Sequence, residues 1–288
     1  MLNFAKMHGC GNDYIYFDCF HQKISDPEAL SRRLSDRRFG IGGDGIILVC
    51  PSDVADMKML MFNADGSQGR MCGNGIRCAG KFAFDHKLVK GREITVETLA
   101  GIKRLEFTLG DDGKVSSVLV NMGKPIFDPR NIPADCDADR AIKYPAVIAG
   151  NKYIINLVSV GSPHCVVFTH ENFSEDFDLY GNFQLEKIGP AFENDSFFPD
   201  RVNTEFVEYI DEKNLRFRVW ERGSGETWAC GTGSCASVVA AVENGLCSRG
   251  EWINVILRGG NLRICYENDG YVLMDGPAVT VFEGTVEE

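Results

Sequence analysis

Two short stretches place a thiol before a glycine-rich turn and an apolar run. "RMCGNGIRCAGKFAF" covers Arg70 to Phe84, and "ETWACGTGSCASVVAA" covers Glu226 to Ala241. Each has Cys-Gly-x-Gly, then apolar or small residues at helical spacing: Ile76, Ala79, Gly80 and Ala83 in one, Cys235, Val238, Val239 and Val242 in the other. Cys72 and Cys230 are therefore expected at helix mouths. The first backbone N–H groups of a helix have no internal partner and carry the positive end of its dipole. Such a mouth suits a carboxylate or phosphate, and the glycines let a ligand approach the backbone closely. A thiol there is expected to ionise more readily than usual.

One copy on its own reads better as packing. Two copies, one in each half of the chain, suit a specific chemistry. Inverting a stereocentre beside a carboxylate takes a base on one face and a conjugate acid on the other, so the resting pair would be one thiolate and one thiol. Backbone N–H groups at the helix mouths would stabilise charge building on the carboxylate, and exclusion of water would call for closure. A non-catalytic protein that captures an anion at the two helix mouths fits the same residues. Solvent exchange of a ligand α-proton separates the two readings.

Other chemistries fit less well. "GIGGDG" (Gly40 to Gly45) and the run Gly231 to Ala236 match the dinucleotide fingerprint, but no hydrophobic strand precedes either, and Glu251 precedes a strand where the ribose-binding acid should end one. There is no C-x-x-C, and the cysteine spacings fit no common zinc site, so neither a metal nor a thioredoxin-type centre is expected. Asn12, Asn63 and Asn203 sit at strand edges, where turn roles suffice. Glu221 and Arg222 end an apolar strand, and an exposed ion pair there would contribute little. His164, after Gly161-Ser162-Pro163, starts a strand.

The elements that must carry these residues are mostly short β-branched runs punctuated by Gly, Pro, Asn and Asp, among them Tyr14–Asp18, Ile46–Cys50, Lys58–Phe62, Cys165–Thr169, Thr204–Tyr209 and Leu215–Glu221. Strand follows strand with few helices between. The fold class expected is α+β with mixed or antiparallel sheets, not a doubly wound parallel sheet. The segment after Cys230 is apolar nearly all round from Ala236 to Val242, the mark of a buried helix. A sheet wrapped around a central helix would satisfy both Cys-Gly-x-Gly segments. Residues 121–140, with prolines and turn residues, read as a linker that splits the chain near its middle. The two halves read as a diverged duplication.

The chain has 288 residues, 44% hydrophobic and 25% charged, with a formal net charge of -11. That is the balance of a soluble globular protein, and an acidic surface argues against nucleic acid or an anionic membrane as main partner. No apolar run approaches a membrane span, and the N-terminus lacks the order of a signal peptide, so a cytoplasmic location is expected. The eleven cysteines are an odd number in a long chain, which argues for reduced thiols over a disulfide framework. Cys78 and Cys235, inside the helices, are expected to be inert core.

"KMHGCGNDY", "FNADGSQGRMCGNGIRCAGKF", "VGSPHCV", "RVNTEFV" and "ERGSGETWACGTGSCAS" together resemble the diaminopimelate epimerase family, in that family's order and over nearly the whole chain. The resemblance implies a cofactor-independent amino-acid epimerase that interconverts LL- and meso-diaminopimelate, for lysine and peptidoglycan synthesis. It implies two pseudo-symmetric domains with a cleft between them, residues 1–121 plus 276–288 and residues 122–275, and a homodimer. Carried over by motif, Cys72 and Cys230 are the acid/base pair, and Gly73, Asn74, Gly231 and Thr232 hold the reacting carboxylate. Asn12, Asn63, Asn203, Glu221 and Arg222 contact substrate, Arg222 by a fork contact with its distal carboxylate. His164 and Glu221 lie near the cysteines and either position the α-amino group or tune the thiols. Ser162 departs from the family's usual Asn, a substrate contact that a shorter side chain loses or bridges through water. Proline racemases resemble the same architecture and also use cysteines, but act on a cyclic substrate without a second charged end.

Overall fold

The computed structural model describes all 288 residues. In chain order its strands are β1 (Leu2–Gly9), β2 (Asn12–Asp18), β3 (Gly45–Cys50), β4 (Met57–Asn63), β5 (Gln68–Gly69), β6 (Glu93–Thr98), β7 (Gly101–Leu109), β8 (Val115–Gly123) and β9 (Tyr144–Ile148). Then come β10 (Asn151–Ser159), β11 (Pro163–Phe168), β12 (Asn203–Asp211), β13 (Asn214–Glu221), β14 (Gly225–Thr227), β15 (Trp252–Leu257), β16 (Gly260–Tyr266), β17 (Val272–Pro277) and β18 (Val279–Val286). The helices are α1 (Pro27–Ser35), α2 (Gly73–Asp85), α3 (Thr169–Asn172), α4 (Leu185–Glu193) and α5 (Gly231–Glu243). The chain divides into two compact units, Met1–Asn121 with Asp275–Glu288, and Met122–Met274.

Within the first unit the strands run β18, β1, β2, β3, β4, β6, β7. The pairings are antiparallel except β2 with β3 and β4 with β6, which are parallel. The second unit repeats this order as β9, β10, β11, β12, β13, β15, β16, with β11–β12 and β13–β15 parallel. Even the short strand after the fourth position recurs: β5 pairs β4 as β14 pairs β13. The duplication suggested by the two cysteine motifs thus extends to the alternation of parallel and antiparallel pairs. Each parallel pair needs a crossover, and helices supply it. The sheets are mixed, as expected, but carry more helix than the two apolar periods revealed.

α2 packs on β1, β2, β3 and β7, and α5 on β10, β11, β12, β15 and β16, so each sheet holds one central helix. α5 is buried from Ser234 to Ala241. Its hydroxyls turn inward on the helix itself: Ser234 donates to Cys230 O and Ser237 to Gly233 O, each at 2.8 Å, so neither hydroxyl is stranded in the core. α2 is less apolar yet equally enclosed. Arg77 is fully buried and donates to Gly73 O and Pro277 O, while Lys81 donates to Asp85 at 2.7 Å and Val115 O at 2.6 Å.

Residues 121–140 are not a free linker. β8 runs on to Gly123, Ile126 bridges to Ser159, and a 3-10 turn forms at Pro129–Asn131. Ile132 is fully buried in the second unit's core. Pro125 follows the end of β8 and Pro129 opens the 3-10 turn; the prolines do not keep the segment off the protein.

Candidate active site

Each Cys-Gly-x-Gly segment builds the same cap. Cys72 is the N-cap of α2, extended in backbone, and its Sγ accepts the Gly75 N–H at 3.3 Å. Cys230 is the N-cap of α5, and its Sγ accepts the Gly233 N–H at 3.3 Å. A thiol thus does what Ser or Asp does at most helix starts. At Gly233 the glycine is a spatial requirement, since a Cβ there would collide with Glu205 Oε1; a Cβ on Gly75 would lie 2.7 Å from the far end of Ile47.

The surroundings differ. In the first unit, the Cys72 thiol donates to Asn12 Oδ1 at 3.2 Å, and Asn12 Nδ2 donates to Asp44 at 2.7 Å. Asp44 comes from "GIGGDG". Those glycines lead into strand β3, not into a helix, so the dinucleotide reading fails on geometry. Gly45 has φ +155, and a Cβ there would strike Phe62 O. The loop instead presents Asp44, whose carboxyl is pushed up by burial and by Asp13, to orient Asn12. Gly73 and Asn74 form the first turn of α2, with Asn74 buried. Asn63, at the end of β4, bonds Ser67 Oγ at 3.0 Å and stands outside this chain of contacts.

In the second unit, Thr232 Oγ1 lies 3.5 Å from Cys230 Sγ, and Gly231 and Thr232 open α5. Ser162 Oγ donates to Thr232 Oγ1 at 3.1 Å and lies 2.9 Å from His164 Nε2. So Ser162, where an amide is usual, fills its place with bonds inside the protein. His164 Nδ1 lies 2.8 Å from Glu205 Oε1, both side chains fully buried. Glu221 bonds Thr227 through its carboxylate and makes no ion pair with Arg222, so the exposed-pair reading is wrong. Burial, with help from Glu205, pushes the Glu221 carboxyl up; Thr227, His164 and Cys230 oppose this. Asn203 joins two segments: its Nδ2 donates to Pro163 O at 2.9 Å and its Oδ1 accepts the Arg222 N–H at 2.9 Å. Arg222 Nη1 donates to Asp200 O at 3.1 Å.

One expectation is overturned. The helix mouth does not give Cys230 a low pKa. Burial, then the Glu221 and Glu205 carboxylates, push its thiol well above the ordinary cysteine value, against the Thr232 hydroxyl and the Gly233 N–H. A helix start offers partial charge, whereas two nearby carboxylates in a dry site offer whole charges. Cys78 and Cys235 are fully enclosed in their helices, and burial pushes Cys78 up to about 11.

Asp44 and Glu205 are the residues that sequence reasoning missed. Asp44 lay within a run read for its glycines. Glu205 sits in "NTEFV" on a buried strand, where nothing in the local pattern distinguishes it from a solvent-facing acid. Ligand atoms of His164, Glu205 and Cys230 all lie within 4.8 Å of one another, donor types that suit a zinc-like ion. Both ring nitrogens of His164 are already engaged, so an ion would have to displace one of those bonds.

A family model for diaminopimelate epimerase matches residues 4–127 and 156–281. A diaminopimelate epimerase from Acetivibrio thermocellus is 49% identical over 287 residues, covering 99% of each chain. One from Methanococcus maripaludis is also 49% identical over 287 residues, covering 99% of this chain and 100% of its own. Among solved structures, a probable proline racemase from Agrobacterium radiobacter superposes with TM-score 0.71 at 16% identity, covering 100% of this chain and 93% of its own. A hydroxyproline epimerase from Agrobacterium vitis gives 0.69 at 14% identity, covering 98% and 91%. At that identity the two structures speak for the fold alone. The sequence match runs through both thiol-capped helices, and the chain belongs to the diaminopimelate epimerase family.

Proposed function

We propose that this protein epimerises diaminopimelate at one α-carbon by a two-base mechanism, with Cys72 and Cys230 as the acid/base pair. The observation that carries the reading is the repeated cap: two thiols, each the N-cap of a central helix and each held by the N–H three residues on, at 3.3 Å. One thiolate takes the α-proton, and the other thiol delivers a proton to the opposite face. Gly73, Asn74, Gly231 and Thr232 offer the α-carboxylate the first-turn N–H groups of α2 and α5, where negative charge grows as the C–H bond breaks.

Asn12, Asn63, Asn203, Glu221 and Arg222 are assigned to substrate contacts. Arg222 suits a distal carboxylate because its guanidinium offers a planar fork of donors. His164 and Glu221 are assigned to tuning Cys230. The reaction moves only protons between carbon and sulfur and needs no cofactor.

The test is deuterium uptake at the α-carbon of diaminopimelate in heavy water with reduced protein, with proline as the control substrate. Uptake into diaminopimelate and not proline is expected. No uptake into diaminopimelate would overturn the assignment.

A further inference from the structure

Cys230 ends a hydrogen-bond chain that its helix cap does not require. Strands β11 and β12 run parallel with His164 opposite Asn203, and Glu205, two residues further on, returns to the same face. That register brings the Glu205 carboxylate to His164 Nδ1 at 2.8 Å. The other ring nitrogen reaches Ser162 Oγ at 2.9 Å; Ser162 donates to Thr232 Oγ1 at 3.1 Å; Thr232 Oγ1 lies 3.5 Å from Cys230 Sγ. Glu205 is fully buried, and its second oxygen has no hydrogen-bond partner. Its charge therefore meets its hydrogen-bonded answer only at Oε1, from His164.

A hydroxyl has one proton. With Ser162 donating to Thr232, Ser162 must accept from His164 Nε2, and Thr232 keeps its own proton for Cys230 Sγ. With His164 donating from Nδ1 to Glu205 as well, the proton-shifted form of this chain is an imidazolium held by Glu205 and a Cys230 thiolate that accepts from Thr232. Turning every hydroxyl round gives the other arrangement, a neutral imidazole and a thiol. The two are related by a balanced shift: Sγ gives its proton to Thr232, Thr232 gives one to Ser162, and Ser162 gives one to His164 Nε2. No atom or charge is lost.

We propose that Glu205 is a positioning residue: by holding His164 through Nδ1, it makes Nε2 the far end of a relay that takes up and returns the Cys230 proton. The proposal rests on the reading of Cys230 as an acid/base group. A competing account has the same residues and the opposite sign. Acting only across space, the carboxylate would oppose a negative Cys230, and its removal would free the thiolate. In the relay, the hydrogen-bonded imidazolium outweighs that repulsion, and removal would strand the proton on sulfur.

The experiment is the rate of iodoacetamide capture of Cys230 and, separately, Cys72, read by peptide mass spectrometry on substrate-free protein at one pH. Glu205→Gln and Ser162→Ala are each expected to slow capture of Cys230 about tenfold and leave Cys72 unchanged, since capture follows the thiolate. The double variant is expected to be no slower than either single, as for links of one chain. Ser162→Thr, which keeps the hydroxyl, is expected to restore the rate. Unchanged or faster capture in either single variant, or additive slowing in the double, would overturn the relay. Should Glu205→Gln fail to fold, the Ser162→Ala and Ser162→Thr pair decides alone, because it removes no buried charge. Deuterium uptake into diaminopimelate is measured in parallel: slowed capture without any uptake in the wild type would keep the relay and reject the epimerase reading.

Discussion

Cys230 Sγ accepts the Gly233 N–H at 3.3 Å, and the Cβ that Gly233 lacks would fall on Glu205 Oε1. The cap and the buried acid therefore share one small space. Cys72 makes the same cap with Gly75, but its neighbour is the neutral amide of Asn12. Two helix mouths of one design thus sit in different fields, and the difference lies in side chains outside the motif.

Replacing either thiol should stop turnover. Cys72→Ala and Cys230→Ala are each expected to lower kcat for epimerisation in both directions by at least about a hundredfold, the lower end of what a positioned acid or base contributes. Stereoisomer analysis of diaminopimelate by chromatography reads this. Substantial turnover in both variants would rule out the two-base assignment.

The thiols, their glycines and the buried α5 were legible because their signals are local: a spacing, a helical period, an apolar run. Residues that position them were not. Asp44 reaches Asn12 across 32 positions of sequence, and Glu205 reaches His164 across 41. Such pairs exist only once strand register is set. α4 was missed because Pro190 lies inside it, and β1 because Lys6, buried and paired with Asp13 at 2.5 Å, interrupts an apolar strand. Long-range partners made both tolerable, and no local period records them.

Asn203→Ala should cost stability as well as activity. It removes both bonds of a buried amide and leaves Pro163 O and the Arg222 N–H without that partner. Each orphaned group costs about 1–3 kcal/mol where water cannot reach it. Urea unfolding should show a fall within that range or up to twice it, together with a raised KM for diaminopimelate. A variant as stable as the wild type would show that water replaces the amide.

The two cap glycines should respond unequally to Ala. On Gly75 the new methyl meets the far end of Ile47, a flexible side chain that can swing away. On Gly233 it meets the Glu205 carboxylate, which His164 pins. Gly233→Ala is expected to lose at least about tenfold more kcat than Gly75→Ala, since buried overpacking costs about 1–3 kcal/mol where neighbours cannot move. Equal losses would mean that Glu205 is free to shift.

Acid should weaken the ion pairs that anchor β14 on β13. Glu226 accepts from Arg218 at 2.8 and 2.9 Å, and from Arg258 at 2.9 Å. Burial pushes its carboxyl up, but Arg218 and then Arg258 outweigh burial and hold it below the ordinary value. For a carboxyl lowered in the folded state, the stabilisation is present above the unfolded value, about 4.3, and is lost as pH falls through the lower folded one. The wild type should therefore exceed Glu226→Gln in urea midpoint at pH 6, and the gap should close between about pH 4.3 and the lower folded value. A gap that stays constant down to pH 3 would mean that the loss comes from packing around Arg218 and not from the charge.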